Sequence, residues 1–508
     1  MPVLTAVLTT FCMALACAAA SAATGPAHLL KDVNQTPSSN RGSFPEDYQR
    51  LGNIALFKAR TPLTGMELWR TDGTEAGTFL VKDIYPGRAE AFDYPSVGFD
   101  PDDPFVELGG ALIFLADDGV HGFELWRSDG TEAGTFLLKD IFPGASTAFG
   151  ETNGYFALTL VGQEAGGSFY FLANDGAHGY ELWKSDGTPA GTALLKDIFP
   201  GAGGTLLGNF TELDGNLLFT AYNGDSGSGL WRSDGTQAGT VPITAATPWP
   251  LQTYPFGLIK ANGTVYFGII DGWLYRTDGT SGGTVPVRQF ESEVLPLREC
   301  NGALLMMADD GIHGNELWRS DGTAGGTVLV KDIFPGSASS SSFLRFTEAG
   351  SGLFIFIDDG VHGSELWRTD GTEAGTFLVK DITPGSASSN PYDLLGVEGT
   401  LFFFIAEGDY PNALRLWKSD GTEAGTRAVQ SPPVAARGGI GLHGNFLFGA
   451  DDVIHGAELW KSDGTDAGTT LVKDIHPSVV TDSSNAQFIG VVSVPGFGER
   501  MFFRADDG

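Results

Sequence analysis

Residues 304–336 contain the stretch on which the fold turns. The run Leu304-Leu305-Met306-Met307-Ala308 leads to Asp309-Asp310-Gly311-Ile312-His313-Gly314, then to Glu316-Leu317-Trp318-Arg319-Ser320-Asp321-Gly322-Thr323. After Gly326-Thr327 come Val328-Leu329-Val330-Lys331-Asp332-Ile333 and Pro335-Gly336. A Ser-rich stretch then reaches Phe343-Leu344-Arg345-Phe346, just before the next apolar run, Leu353-Phe354-Ile355-Phe356. Short apolar segments punctuated by Gly, Asp, Ser and Pro predict four short strands joined by turns. No segment keeps apolar residues at spacings of three and four over three turns, as an amphipathic helix would.

This unit is repeated along the chain. Its aromatic and acidic markers return as Trp69 and Asp72, Trp126 and Asp129, Trp183 and Asp186, Trp231 and Asp234, Trp318 and Asp321, Trp367 and Asp370, Trp417 and Asp420, and Trp460 and Asp463. A ninth copy, fifth in chain order, has Tyr275 in the Trp place, with Asp278. The aspartates stand 43 to 57 residues apart, about 49 on average. Periods of this size belong to propellers, solenoids or arrays.

The divergent fifth copy carries the most explicit local signal. It reads Val265-Tyr266-Phe267-Gly268-Ile269-Ile270-Asp271-Gly272-Trp273-Leu274-Tyr275-Arg276. Two apolar runs joined by Asp-Gly predict a tight antiparallel hairpin, because its central residues need positive φ. The run before each Asp-Gly loop and the Leu-Trp run are therefore expected to be adjacent strands. Asp-Gly-Thr-x-x-Gly-Thr reads as the next reversal. Glycine, 72 of 508 residues, suits a chain built of such turns.

Four antiparallel strands in about 49 residues make a propeller blade by size. We expect an all-β β-propeller, with an open β-solenoid as the alternative. Stacked blades need middle strands that are apolar on both faces, as in Leu401-Phe402-Phe403-Phe404-Ile405. The Trp (or Tyr275) and Asp markers listed above read as structural: the ring packed between blades, the carboxylate closing the turn.

The repeat resembles the bacterial ELWxxDGT repeat family. The complete phrase begins at Glu67, Glu124, Glu181, Glu316, Glu365 and Glu458, while Gly229, Trp273 and Arg415 stand in the Glu place of the other copies. The resemblance implies a secreted or surface repeat protein, and it supplies no catalytic residues.

The N-terminus agrees with export. Residues 3–23 are apolar and small, and Ala20-Ser21-Ala22 has the pattern of a signal-peptidase site, although no Lys or Arg precedes the run. We therefore read 1–23 as a signal peptide and 24–508 as the propeller region, secreted or displayed at the cell surface. Cys12 and Cys17 would leave with the peptide, so that Cys300 remains alone. Leu29-Leu30-Lys31-Asp32-Val33 matches the strand Leu80-Val81-Lys82-Asp83-Ile84. Residues 501–508 match the strand and turn that precede a Leu-Trp strand, and are expected to begin an incomplete tenth unit. No later stretch is long and apolar enough for a membrane helix.

Lys and Arg number 30 against 62 Asp and Glu, a formal charge of −32. Such a surface repels phosphate backbones and anionic lipid, so nucleic acid is not an expected partner. An extracellular protein or glycan is. The Asp-Asp-Gly-x-His-Gly loops offer candidate calcium ligands in Asp117, Asp118, Asp309, Asp310, Asp358 and Asp359. Turn capping by these side chains is the reading their spacing favours, since they lack the EF-hand pattern. Five of the eight His residues belong to these loops, and no nucleophile, Walker or zincin motif is present.

Copy-specific insertions are free of the packing duty of the repeat. They are the expected ligand-binding loops: 88–105 with Tyr94, Asp100, Asp102 and Asp103; 145–167; and 407–413 with Tyr410. The expected function is a secreted or cell-surface scaffold or binding module without catalysis. A glycan-active hydrolase or lyase on the same scaffold is the alternative.

Overall fold

In the computed structural model, antiparallel sheets of four consecutive strands follow one another along the chain. The structure describes residues 43–475 except 62, 93–104, 150, 153–154, 157–161, 225–227, 244–254, 341–344, 351, 407–413, 430–433, 452–454 and 456, together with the strands at 487–494 and 498–504. The chain divides into two compact units. The larger, 41–477, is a nine-bladed β-propeller whose blades occupy 46–82, 105–139, 162–196, 207–242, 256–289, 295–331, 345–380, 392–428 and 434–473. The smaller unit shows one antiparallel strand pair, Gln487–Val494 with Gly498–Arg504. Leu29–Val33 lies outside the described residues.

In blade 6 the strands are Leu295–Cys300, Ala303–Asp309, Asn315–Ser320 and Val328–Lys331. The expected hairpin between the apolar run and the Leu-Trp run is present, with Met306 opposite Trp318. The boundary of the unit differs from the sequence reading. The polar strand that seemed to end a unit begins the next blade: Arg345–Ala349 pairs with Gly352–Asp358. First strands of neighbouring blades approach one another, so they surround the axis. An axial strand has little apolar surface to bury, which is why its sequence is polar and varies between copies.

Each Trp, or Tyr275, packs against the preceding blade. Trp126 shares a core with Leu56 and Leu68 of blade 1, and Tyr275 with Leu218 and Leu230 of blade 4. The ring closes by the same contact: Trp69 of blade 1 packs with Leu447, Leu459 and Val472 of blade 9. A polar latch repeats alongside. Lys82 Nζ donates to Thr135 O of the next blade at 2.9 Å, Lys331 Nζ to Thr376 O at 2.9 Å, and Lys473 Nζ of blade 9 to Thr78 O of blade 1 at 2.8 Å. The closing interface is thus built like the internal ones.

Candidate functional site

Up-and-down strands sort the connections onto two faces. One face carries the first-to-second and third-to-fourth turns. The other carries the second-to-third loops and the links between blades.

The turn face is nine copies of one circuit. In blade 1, Asp72 Oδ1 accepts the Thr74 N–H at 2.9 Å and its hydroxyl at 2.6 Å. Thr74 Oγ1 accepts the Gly77 N–H at 3.0 Å, and the Thr71 and Thr78 hydroxyls bond at 2.7 Å. Gly73 has φ +85°, and a Cβ on Gly77 would collide with the Asp72 carboxylate, which explains the two glycines of the phrase. The Thr74 hydroxyl, more than any other group, holds the Asp72 carboxyl below its ordinary range. The same bonds recur at Asp129, Asp186, Asp234, Asp278, Asp321, Asp370, Asp420 and Asp463. Each aspartate serves its own turn, and they do not gather into one site.

The loop face is held by a residue whose role the sequence reading missed, the Glu of the repeat. Glu124 is fully buried; its Oε2 accepts the Ile141 N–H at 2.9 Å and its Oε1 the Phe142 N–H at 2.9 Å. Glu67, Glu181, Glu316 and Glu365 bond the corresponding amide pairs of their blades. Glu458 takes the Ile475 N–H and the Ser43 hydroxyl. Burial pushes Glu67 and Glu124 up to about 8, and Glu181, Glu316 and Glu365 to about 7, against the opposing pull of the amides. A sequence signal was available. The three copies with Gly229, Trp273 or Arg415 in the Glu place are the three that also lack Lys-Asp-Ile-x-Pro after the fourth strand.

The aromatic residue of that link braces the next blade. A Cβ on Gly119 (φ +80°) would lie 2.7 Å from the Tyr85 ring, and one on Gly176 2.9 Å from Phe142. The Asp-Asp-Gly-x-His-Gly loop then caps itself. Asp117 Oδ1 accepts the Gly119 N–H at 2.7 Å; Asp118 Oδ1 accepts the Val120 and His121 N–H groups at 2.9 Å each; and Asp118 Oδ2 lies 2.8 Å from His121 Nδ1. Asp309 and Asp310 with His313, and Asp358 and Asp359 with His362, repeat the pattern. The bond to Asp118 raises His121 above its ordinary value, and Asp359 does the same for His362.

Backbone amides thus bond Oδ1 of all six aspartates proposed for calcium, and a His bonds Oδ2 of Asp118, Asp310 and Asp359. Among the described residues, no three His, Cys, Asp or Glu side chains are placed to share a metal ion. Tyr94, Asp100, Asp102, Asp103 and Tyr410 lie outside the described residues. By position in the chain, 88–104 and 145–161 belong to links between blades and 407–413 to a second-to-third connection, whereas 162–167 is the first strand of blade 3 and the turn after it. Cys300 is a free thiol, partly buried. No helix among the described residues is long and apolar enough to cross a membrane.

No family model and no curated protein matches this chain. Among solved structures it is similar to the computationally designed Ika8 protein, at 14% identity over 76% of this chain and 96% of that one, with a TM-score of 0.37. It is similar to puromycin hydrolase at 13% identity over 79% of this chain and 57% of that one, TM-score 0.39. A prolyl endopeptidase structure matches at 12% identity over 68% and 54%, TM-score 0.39. The chain spans little more than half the length of these hydrolases. Hydrolases and peptidases recur among these structures, and the expectation of a chain without catalysis is not carried forward.

Proposed function

We propose that this chain is an exported propeller of the ELWxxDGT-repeat type that binds an extracellular protein or glycan across its loop face. The observation that carries the reading is the asymmetry of the two faces. The turn face repeats one closed circuit nine times, whereas the connections that contain 88–104, 145–161 and 407–413 leave and rejoin strands at the other face. Recognition needs surface that differs from blade to blade, and loops on a rigid frame supply it. Replacing 93–104, 150–161 and 407–413, one at a time, by the matching part of a blade 6 connection tests this, because the flanking Ala91, Phe92, Ala148 and Phe149 belong to the core. Loss of binding on a panel of glycans and extracellular proteins, with an unchanged melting midpoint, is expected. Full binding by all three replacements refutes it. Export is tested by fractionation and N-terminal sequencing, with a mature start at Thr24.

A second reading is hydrolysis on the same scaffold, the activity named for puromycin hydrolase and the prolyl endopeptidases. Turnover on glycan and peptide panels, abolished by a single loop-face substitution that leaves the fold intact, would establish it.

A further inference from the structure

The ring has one joint that no covalent link crosses, between blades 9 and 1, and the start of blade 1 is shaped to fit it. At three internal joints the link carries a fully buried small residue that bonds the blades it connects. From blade 6 to blade 7 this is Ser340: its N–H donates to Asn315 O of blade 6 at 3.1 Å, and its carbonyl accepts the Asp358 N–H of blade 7 at 2.9 Å. Ala91 donates to Met66 O of blade 1 at 3.1 Å and accepts the Asp117 N–H of blade 2 at 3.0 Å. Ala148 accepts the Asn174 N–H of blade 3 at 3.0 Å. Ser43 holds this position at the closing joint. It is fully buried, its carbonyl accepts the Arg60 N–H of blade 1 at 2.7 Å, and its hydroxyl donates to Glu458 Oε2 of blade 9 at 2.7 Å. Arg60 stands three residues beyond the strand partner of the blade's Trp, as Asp117, Asn174 and Asp358 do, so the four carbonyls are equivalent.

The residues after Ser43 are tied down with it. Pro45 is buried, its carbonyl accepts the Tyr48 hydroxyl at 3.2 Å, and the Tyr48 ring stacks on Phe57 at 5.4 Å. Phe44 between them has φ +45°, a conformation that a bulky side chain resists, so the bonds on either side hold it there. Glu458 is the repeat Glu of blade 9 and also accepts the Ile475 N–H at 2.9 Å, so the Ser43 hydroxyl docks on the carboxylate that fixes the end of that blade. At an internal joint the chain itself keeps the bridging residue beside both blades. Ser43 instead meets a partner 415 residues away, and only non-bonded contacts keep it there. We propose that residues 43–45 are the clasp of the ring: they give the closing joint the bridge that a covalent link gives elsewhere, and their release loosens the joint of blades 9 and 1 before any other.

Hydrogen exchange read by mass spectrometry on the full chain tests this with Ser43→Ala and Ser340→Ala. Alanine is the residue that positions 91 and 148 already carry, so neither variant disturbs the packing, and Ser43→Ala removes only the hydroxyl from Glu458. Exchange at residues 457–475 of blade 9 and 54–61 of blade 1 should rise about tenfold, the weight of one hydrogen bond to a carboxylate, while blades 3 to 7 stay unchanged. Ser340→Ala should leave the joint of blades 6 and 7 as it is, because a covalent link still crosses it. No change at the closing joint in Ser43→Ala, a rise spread evenly over all nine blades, or an equal rise around residue 340 in Ser340→Ala overturns the proposal.

Discussion

Glu124→Ala removes the group on which the link after blade 2 hangs. The Ile141 and Phe142 amides each lose a carboxylate acceptor at 2.9 Å, the first at a buried site and the second at a partly buried one. Each unmet buried donor costs about 1–3 kcal/mol, so the variant should lose about 2–6 kcal/mol. The propeller unit runs from 41 to 477. At about 2.1 cal/mol/K per residue its unfolding entropy is near 0.9 kcal/mol/K, so the midpoint should fall by about 2–7 °C. Glu124→Gln keeps one acceptor and sets an NH2 against the second amide, so it should fall by less than Glu124→Ala. The pH dependence follows from the raised acid. The folded state holds Glu124 at about 8, above its unfolded value, so it favours the protonated form. The stability this adds is complete below the unfolded pKa and is lost as pH rises through about 8, at up to about 1.4 kcal/mol per pH unit. The deficit of the Gln variant should therefore shrink between pH 5 and 8. Calorimetry across that range and hydrogen exchange at residues 141 and 142 provide the assays. Protected amides in Glu124→Ala, or a deficit that grows with pH, would refute the reasoning.

Other changes probe the frame. Trp126→Ala empties a buried ring site between blades 1 and 2 and should cost about 3–5 kcal/mol by denaturant titration. Lys58 is buried where other blades carry Leu115, Met307 or Phe356, and it pairs with Asp47 at 2.5 Å. Lys58→Met alone should destabilise by about 1–3 kcal/mol, and adding Asp47→Asn should recover most of the loss, which a double-mutant cycle reads. The bonded loop histidines His121 and His362 are raised, so their contribution also fades as pH climbs past 6.5, whereas the lowered turn aspartates lose theirs as pH falls below 4. The midpoint of the whole chain should therefore peak on the acid side of neutrality. Dialysis against a chelator should leave that midpoint within about 2 °C, since the loop carboxylates cap their own turns; a fall of about 5 °C or more would assign calcium as their partner.

Much of this molecule was legible along the chain because its instructions are local. Turn chemistry needs only a few residues: Asp271-Gly272 announces a hairpin, although its join spans 269–272 and only Gly272 takes positive φ, and Asp72 with Thr74, Gly73 and Gly77 closes its own loop. Runs apolar on both faces, such as 401–405, announce stacked sheets. The role of Glu67 and its counterparts was harder to see. It joins a third strand to a link 17 residues later, and only its joint loss with Lys-Asp-Ile in three copies marks it.

The sequence by itself determined the all-β class, the four-strand unit, the nine copies and the Trp as the inter-blade residue. The tertiary structure alone decided where each blade begins, that nine of them close a ring, and that the connections containing the insertions share one face. The physical reason is range. A turn or strand is decided by neighbours in the chain, but closure depends on the rotation accumulated over all nine interfaces. That rotation becomes visible only when Trp69 meets blade 9.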